Sequence, residues 1–131
     1  MPGESNLTVL LREMEPVLNS GTYVFVTLPD GCRVSPDDIV ASVREPEGLS
    51  VVMEQGRAAR LGLPGTFPCA WITLRVHSDL AAVGLTAAVS AALAAAGISC
   101  NVVAGACHDH LFVPLERGEE ALAVLRSLGA R

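Results

Sequence analysis

Leu7, Leu10, Leu11 and Met14 recur at i, i+3, i+4 and i+7, which lines apolar side chains along one helical face. Asn6 stands ahead of them as a cap, and Pro16 and Gly21 close the segment. Thr22 to Leu28 is β-branched and aromatic and runs into Pro29-Asp30-Gly31, a strand followed by a turn. Over residues 38–45, Ile39, Ala41 and Val43 alternate with Val40, Ser42 and Arg44, predicting a second strand. Across the turn Glu45 to Gly48, Leu49 to Met53 is its hairpin partner. Residues 55–61 predict a short helix. Gly62, Pro64, Gly65 and Pro68 then break the pattern, placing a boundary between two halves, 1–65 and 66–131.

In the second half, Ala70, Ile72, Leu74 and Val76 alternate with Trp71, Thr73 and Arg75 in a fourth strand. A helix from about 80 to 96 carries Leu85, Val89 and Leu93 on one face, many alanines elsewhere, and Gly97 as a C-terminal stop. Residues 99–106 and 110–115 predict two strands around Cys107-His108-Asp109. Ala121, Val124, Leu125 and Leu128 mark a last helix, with Glu119 and Glu120 at its start and Arg126 near its end, the favourable ends of the helix dipole.

Strand, helix, strand, strand, helix is the α+β, ferredoxin-like βαββαβ plan, with its last strand missing or supplied by the first half. The first half reads as a degenerate copy. Helices on one side of each antiparallel or mixed sheet leave the other face to Trp71, Thr73 and Val102, which the other half or another subunit should cover.

Half of the residues are hydrophobic and 4% are aromatic, so the core is built from Ala, Val, Leu and Ile. A net charge of −5 with no basic stripe argues against nucleic acid. The start, Met-Pro-Gly-Glu, does not resemble a secretory leader, and the apolar run Ala87 to Ile98 is too short for a bilayer. Four scattered cysteines without a CxxC pair suggest reduced thiols in a cytoplasmic protein.

The chemistry-bearing segment is the turn from Ser78 and Asp79 through Val83, Gly84 and Leu85, which opens the alanine-rich helix. Ser78 and Asp79 are helix caps by type, and Gly84 permits close approach of a ligand or of backbone. Free amides in a first helical turn attract a carboxylate. Asn101, in a strand of Cys, Val and Ala, requires a polar partner. His108, Asp109 and His110, with Cys100 and Cys107, offer metal-ligand types, but alternate residues of a strand diverge and no zinc spacing is present. Cys107, His77 and Asp109 would suit a nucleophile, base and orienting acid, without a visible oxyanion pocket. Neither GxGxxG nor a P-loop occurs.

Residues 69–128 resemble an ACT domain, the small regulatory module attached to amino-acid biosynthetic enzymes. The resemblance rests on Asp79 and Gly84-Leu85 opening a helix and on Ala95-Ala96-Gly97-Ile98-Ser99-Cys100-Asn101-Val102 as the helix-to-strand joint. The family's short Asp-x-x-Gly turn is longer here. After Gly21 the chain also resembles small stand-alone bacterial tandem ACT-like proteins, through Tyr23-Val24-Phe25, Glu45 to Leu49, His77 to Ala87 and His108 to Pro114.

That resemblance implies a non-enzymatic regulatory protein that binds a small effector, an amino acid by class, in a cleft between ACT units of a homo-oligomer. By position it implies binding by Ser78, Asp79, Val83, Gly84, Leu85, Asn101 and Val102. By analogy with arginine-sensing tandems, Asp109 would meet a cationic group. No cofactor and no metal is expected. A ligand-free protein-interaction module and a small Cys/His enzyme are the rival classes.

Overall fold

The computed structural model of the chain describes residues 3–130. Its contacts divide into two compact units, one continuous from Gly21 to Cys69 and one split between the residues up to Ser20 and those from Ala70 onward.

In the continuous unit, β2 (Tyr23–Thr27), β3 (Ala41–Glu45), β4 (Gly48–Glu54) and the start of β5 (Thr66–Arg75) lie in the order β3-β4-β2-β5. The β2–β4, β2–β5 and β3–β4 pairings are antiparallel, and the β3–β4 hairpin sets Glu45 opposite Gly48 and Arg44 opposite Leu49. The predicted strand over 38–45 begins later, because Ser35 caps a 3-10 turn at Pro36–Asp38. The short helix α2 (Gln55–Arg60) follows, its first amides bound by the Glu54 carboxylate. Val24, Val26, Leu28, Val51, Met53, Ala58 and Leu63 form the core. Where β5 joins β2 the register slips by one residue, and Phe67 sits at φ +55°, a bulge in which a bulky side chain takes a left-handed backbone.

In the split unit, α1 (Leu7–Glu13) is capped by Asn6, whose Oδ1 accepts from the Val9 amide at 3.2 Å. The chain then forms β1 (Glu15–Leu18), a strand absent from the sequence expectation because Pro16 reads there only as a helix stop. Proline fits since β1 pairs with one neighbour, β5, with Glu15 opposite Arg75 and Leu18 opposite Ile72. After β5 come α3 (Leu85–Ala95), β6 (Asn101–Ala104), β7 (Asp109–Pro114) and α4 (Gly118–Gly129). The strand order β1-β5-β7-β6 is the ferredoxin-like arrangement, with β1 in the place of the final strand. That missing strand is indeed supplied from the first half.

The core of this unit joins Leu10, Ile72, Leu74, Leu85, Val89, Leu93, Leu111, Val113 and Leu125. Its apolar stripes follow the predicted spacings. The end of α3 is fixed by a Schellman motif: Ile98 N–H donates to Leu93 O and Gly97 N–H to Ala94 O, both at 2.9 Å, with Gly97 at φ +72°. Arg117 adds side-chain donors to Ala96 O and Gly97 O while pairing with Glu120. No helix among the described residues is long and apolar enough to cross a membrane.

Candidate functional site

The segment between β5 and α3 is longer and more structured than a cap. Glu4 N–H donates to His77 O at 2.8 Å and Asp79 N–H donates to Glu4 O at 2.9 Å, tying the turn to the N-terminal segment. The Asp79 carboxylate accepts from the Ala81 amide at 2.9 Å, an Asx turn, so it caps its own loop and not the helix. The expectation that Ser78 and Asp79 cap a helix from about 80 is corrected: α3 starts at Leu85 and its N-cap is Gly84, at φ +108° with no side-chain cap bond. A side chain there would need a strained backbone, and a Cβ would lie 3.0 Å from Leu7 Cδ2. The uncapped first turn leaves the amides of Leu85 to Ala87 without a side-chain acceptor.

Asp109 opens β7 opposite Ala104. Strand alternation turns its carboxylate to the face of Leu111 and Val113, the helix side of the sheet. It is 9% exposed, the buried charged residue among the described ones. It makes no side-chain hydrogen bond among them, yet no fully buried polar side-chain atom lacks a partner, so its oxygens open onto free space. Burial raises its pKa from the ordinary 3.8, against the opposing pull of His110 and His108.

That space is a hollow of about 140 Å³ lined by Ser78, Asp79, Gly84, Leu85, Thr86 and Asp109, with Leu80, Ala82 and Ala104 completing the wall. Five of the residues singled out from sequence thus come together. Val83 does not, being 85% exposed. Asn101 is exposed opposite Phe112, and Val102 packs against the core, on the opposite side of the sheet from Trp71 and Thr73. Thr86 was missed, although its place in the first helical turn was a usable signal.

The two histidines part company. His110 lies on the other sheet face, where its Nδ1 accepts from Trp71 Nε1–H at 3.0 Å and lies 3.2 Å from Thr73 Oγ1. Asn19 Nδ2–H donates to Thr73 Oγ1 at 3.0 Å and to Trp71 O at 3.2 Å. Because indole can only donate, Nδ1 carries no proton in this arrangement. Burial lowers the His110 pKa, with His108 adding to the shift and Asp109 opposing it. His108 Nδ1 sits 3.4 Å from Val76 O. Cys107 is exposed at the hairpin tip, whereas burial pushes the Cys69 and Cys100 thiols up to about 11. No group of three metal-ligating side chains occurs among the described residues.

Residues 2–70 match one description of the ACT domain and residues 66–127 match another. The chain belongs to the ACT-domain family. The two matches overlap in the first residues of β5, the strand whose start pairs with β2 and whose end pairs with β1. The tandem ACT expectation and the α+β fold are therefore both met. A Vibrio cholerae protein of unknown function, described as a possible transport protein, is similar at 43% identity and TM-score 0.79, over 94% of this chain and 95% of its own. An Agrobacterium tumefaciens protein is similar at 21% identity and TM-score 0.68, over 88% and 89%. The regulatory subunit of aspartate kinase from Thermus flavus shares the fold at 11% identity and TM-score 0.59, over 87% and 96%. No curated protein matches the chain.

Proposed function

We propose that this ACT-domain protein is a non-catalytic sensor of a compact amino acid, bound in the hollow between Asp109 and the first turn of α3. The observation that carries the reading is Asp109, a buried carboxylate without a partner, facing a polar hollow. An ammonium group would offset its desolvation, and Asp79 adds a second acceptor on the same wall. The ligand carboxylate would turn to the uncapped amides at Leu85 to Ala87, where the helix dipole favours negative charge.

Size selects among zwitterions. At about 140 Å³ the hollow is well below the roughly 300–1,000 Å³ of sites for drug-sized ligands, so it suits a compact zwitterion. Glycine, alanine and serine, with five to seven heavy atoms in all, suit that space, and arginine does not. Binding would fix the Ser78 to Leu85 turn and shift the population of its conformers, which is what a downstream target would read.

The test is a thermal-shift and calorimetric screen with glycine, L-alanine and L-serine beside ethanolamine and acetate. Amino acids should raise Tm, by about 2.7 kcal/mol of stabilisation at a hundredfold excess over Kd, whereas acetate alone should not. Silence toward every amino acid, together with a tight protein partner, would support the interaction-module reading instead.

A further inference from the structure

The continuous unit carries a cavity that the amino-acid site does not use. It has a volume of about 790 Å³, with Leu28, Val34, Ile39 and Leu49 as its apolar surface and Arg33 and Arg44 among its lining residues. It exists because the stretch between β2 and β3 contains one three-residue 3-10 turn in the place of the first helix of a ferredoxin-like unit. Val34, Ile39 and Leu49 pack against the core while staying only partly buried, so this end of the core is uncovered. Arg57 holds the turn by an ion pair to Asp38 at 3.0 Å, outside the cavity lining.

The two arginines decide the chemistry. Arg44 lies opposite Leu49 in the hairpin and so shares the sheet face that carries the core. Neither Arg33 nor Arg44 makes an ion pair or side-chain hydrogen bond among the described residues. No acidic side chain lines the cavity, in a chain with 14 acidic residues against nine basic ones. Two unpaired guanidinium groups beside an open apolar surface complement an anion with a hydrocarbon body. The volume falls in the range of small-molecule sites, about 300–1,000 Å³.

We propose that this cavity binds an apolar monocarboxylate, its carboxylate held by Arg33 and Arg44 and its hydrocarbon body against Leu28, Val34, Ile39 and Leu49. The ligand is distinct in charge and site from the amino acid sensed beside Asp109.

Cys32 lines the same cavity and reports on its occupancy. In full-length protein carrying Cys100→Ser and Cys107→Ser, at neutral pH, the buried Cys69 remains a thiol, leaving Cys32 to react with a maleimide. Octanoate or the α-keto acid of leucine should slow that labelling, and which of the two acts more strongly separates a straight-chain acid from a branched keto acid. Octanol, with the same body and no charge, should bind at least about tenfold more weakly, as should octanoate to Arg33→Gln or Arg44→Gln protein. Asp109→Asn should leave the protection unchanged, so a failure here is separable from a failure of the amino-acid site. Should Cys32 not label, the methyl shifts of Ile39 and Leu49 give the same readout. Equal protection by octanol, no protection or methyl shift by either acid, or arginine variants that bind as the parent does would overturn the proposal.

Discussion

Replacing Asp109 by Asn should stabilise the empty protein while abolishing its response to amino acids. Asp109 is buried, unpartnered and held above its ordinary pKa by desolvation. Because its oxygens open onto the hollow, the cost is that of partly desolvating a charge, toward the lower end of the about 1–3 kcal/mol of a buried unsatisfied polar group. Asn has nearly the same shape and removes the charge but keeps an amide that still wants partners, so a net gain of about 1 kcal/mol is expected at pH 7. For a chain of this size that corresponds to a Tm rise of about 3–6 °C. The pH dependence fixes the cause. A carboxyl whose folded pKa is raised takes up its proton more readily in the folded state, so stability falls as pH rises from 3.8 through the folded value and is level above it. The advantage of Asn should therefore be present at pH 7 and vanish below about pH 3.8. Calorimetric scans of both proteins at the two pH values, with and without serine, measure this. A variant less stable at pH 7 that still responds to serine would refute the assignment of Asp109 as a ligand-seeking charge.

The His110 network makes a second pH prediction of opposite sign. Its folded pKa is depressed, so its contribution is complete above the ordinary 6.5 and is lost as pH falls through the folded value. The fluorescence of Trp71, the one tryptophan, should change over that fall, and Trp71→Phe should flatten the stability profile there. Gly84→Ala should destabilise by about 1–3 kcal/mol because φ is +108° and Leu7 stands against the new Cβ, measured by urea unfolding. Leu10→Ala, a fully buried position, should cost about 2–5 kcal/mol. A fragment of residues 66–131, lacking Leu10, Met14 and β1, should show no cooperative unfolding transition.

Much of the fold was written in periodicity. The stripes at Leu85, Val89 and Leu93 and at Ala121, Val124 and Leu125 gave their helices, and Gly97 marked a real left-handed stop. What stayed hidden depended on distant partners. Glu15 to Leu18 has too few residues and too poor a β propensity to declare itself, and becomes a strand only because the edge of β5 is available. The start of α3 was misplaced because Asp79 and Ser78 have the composition of a cap, while Asp79 uses its carboxylate on its own loop. At the site, Asp109 and Gly84 were legible as a buried acid and a flexible joint. The outward turn of Val83 and Asn101 was not, since neither residue type dictates which way its side chain leaves the backbone.

Chain order bears on how this molecule is made. The continuous unit has every one of its strands once Cys69 has left the ribosome. The other unit must wait, because α1 and β1 emerge first and the α4 helix they pack with emerges last. Closing contacts of such long separation slows folding. During synthesis the apolar side of α1, with Leu10 and Met14, therefore stays unshielded until α4 has emerged, and chaperone attention should fall there.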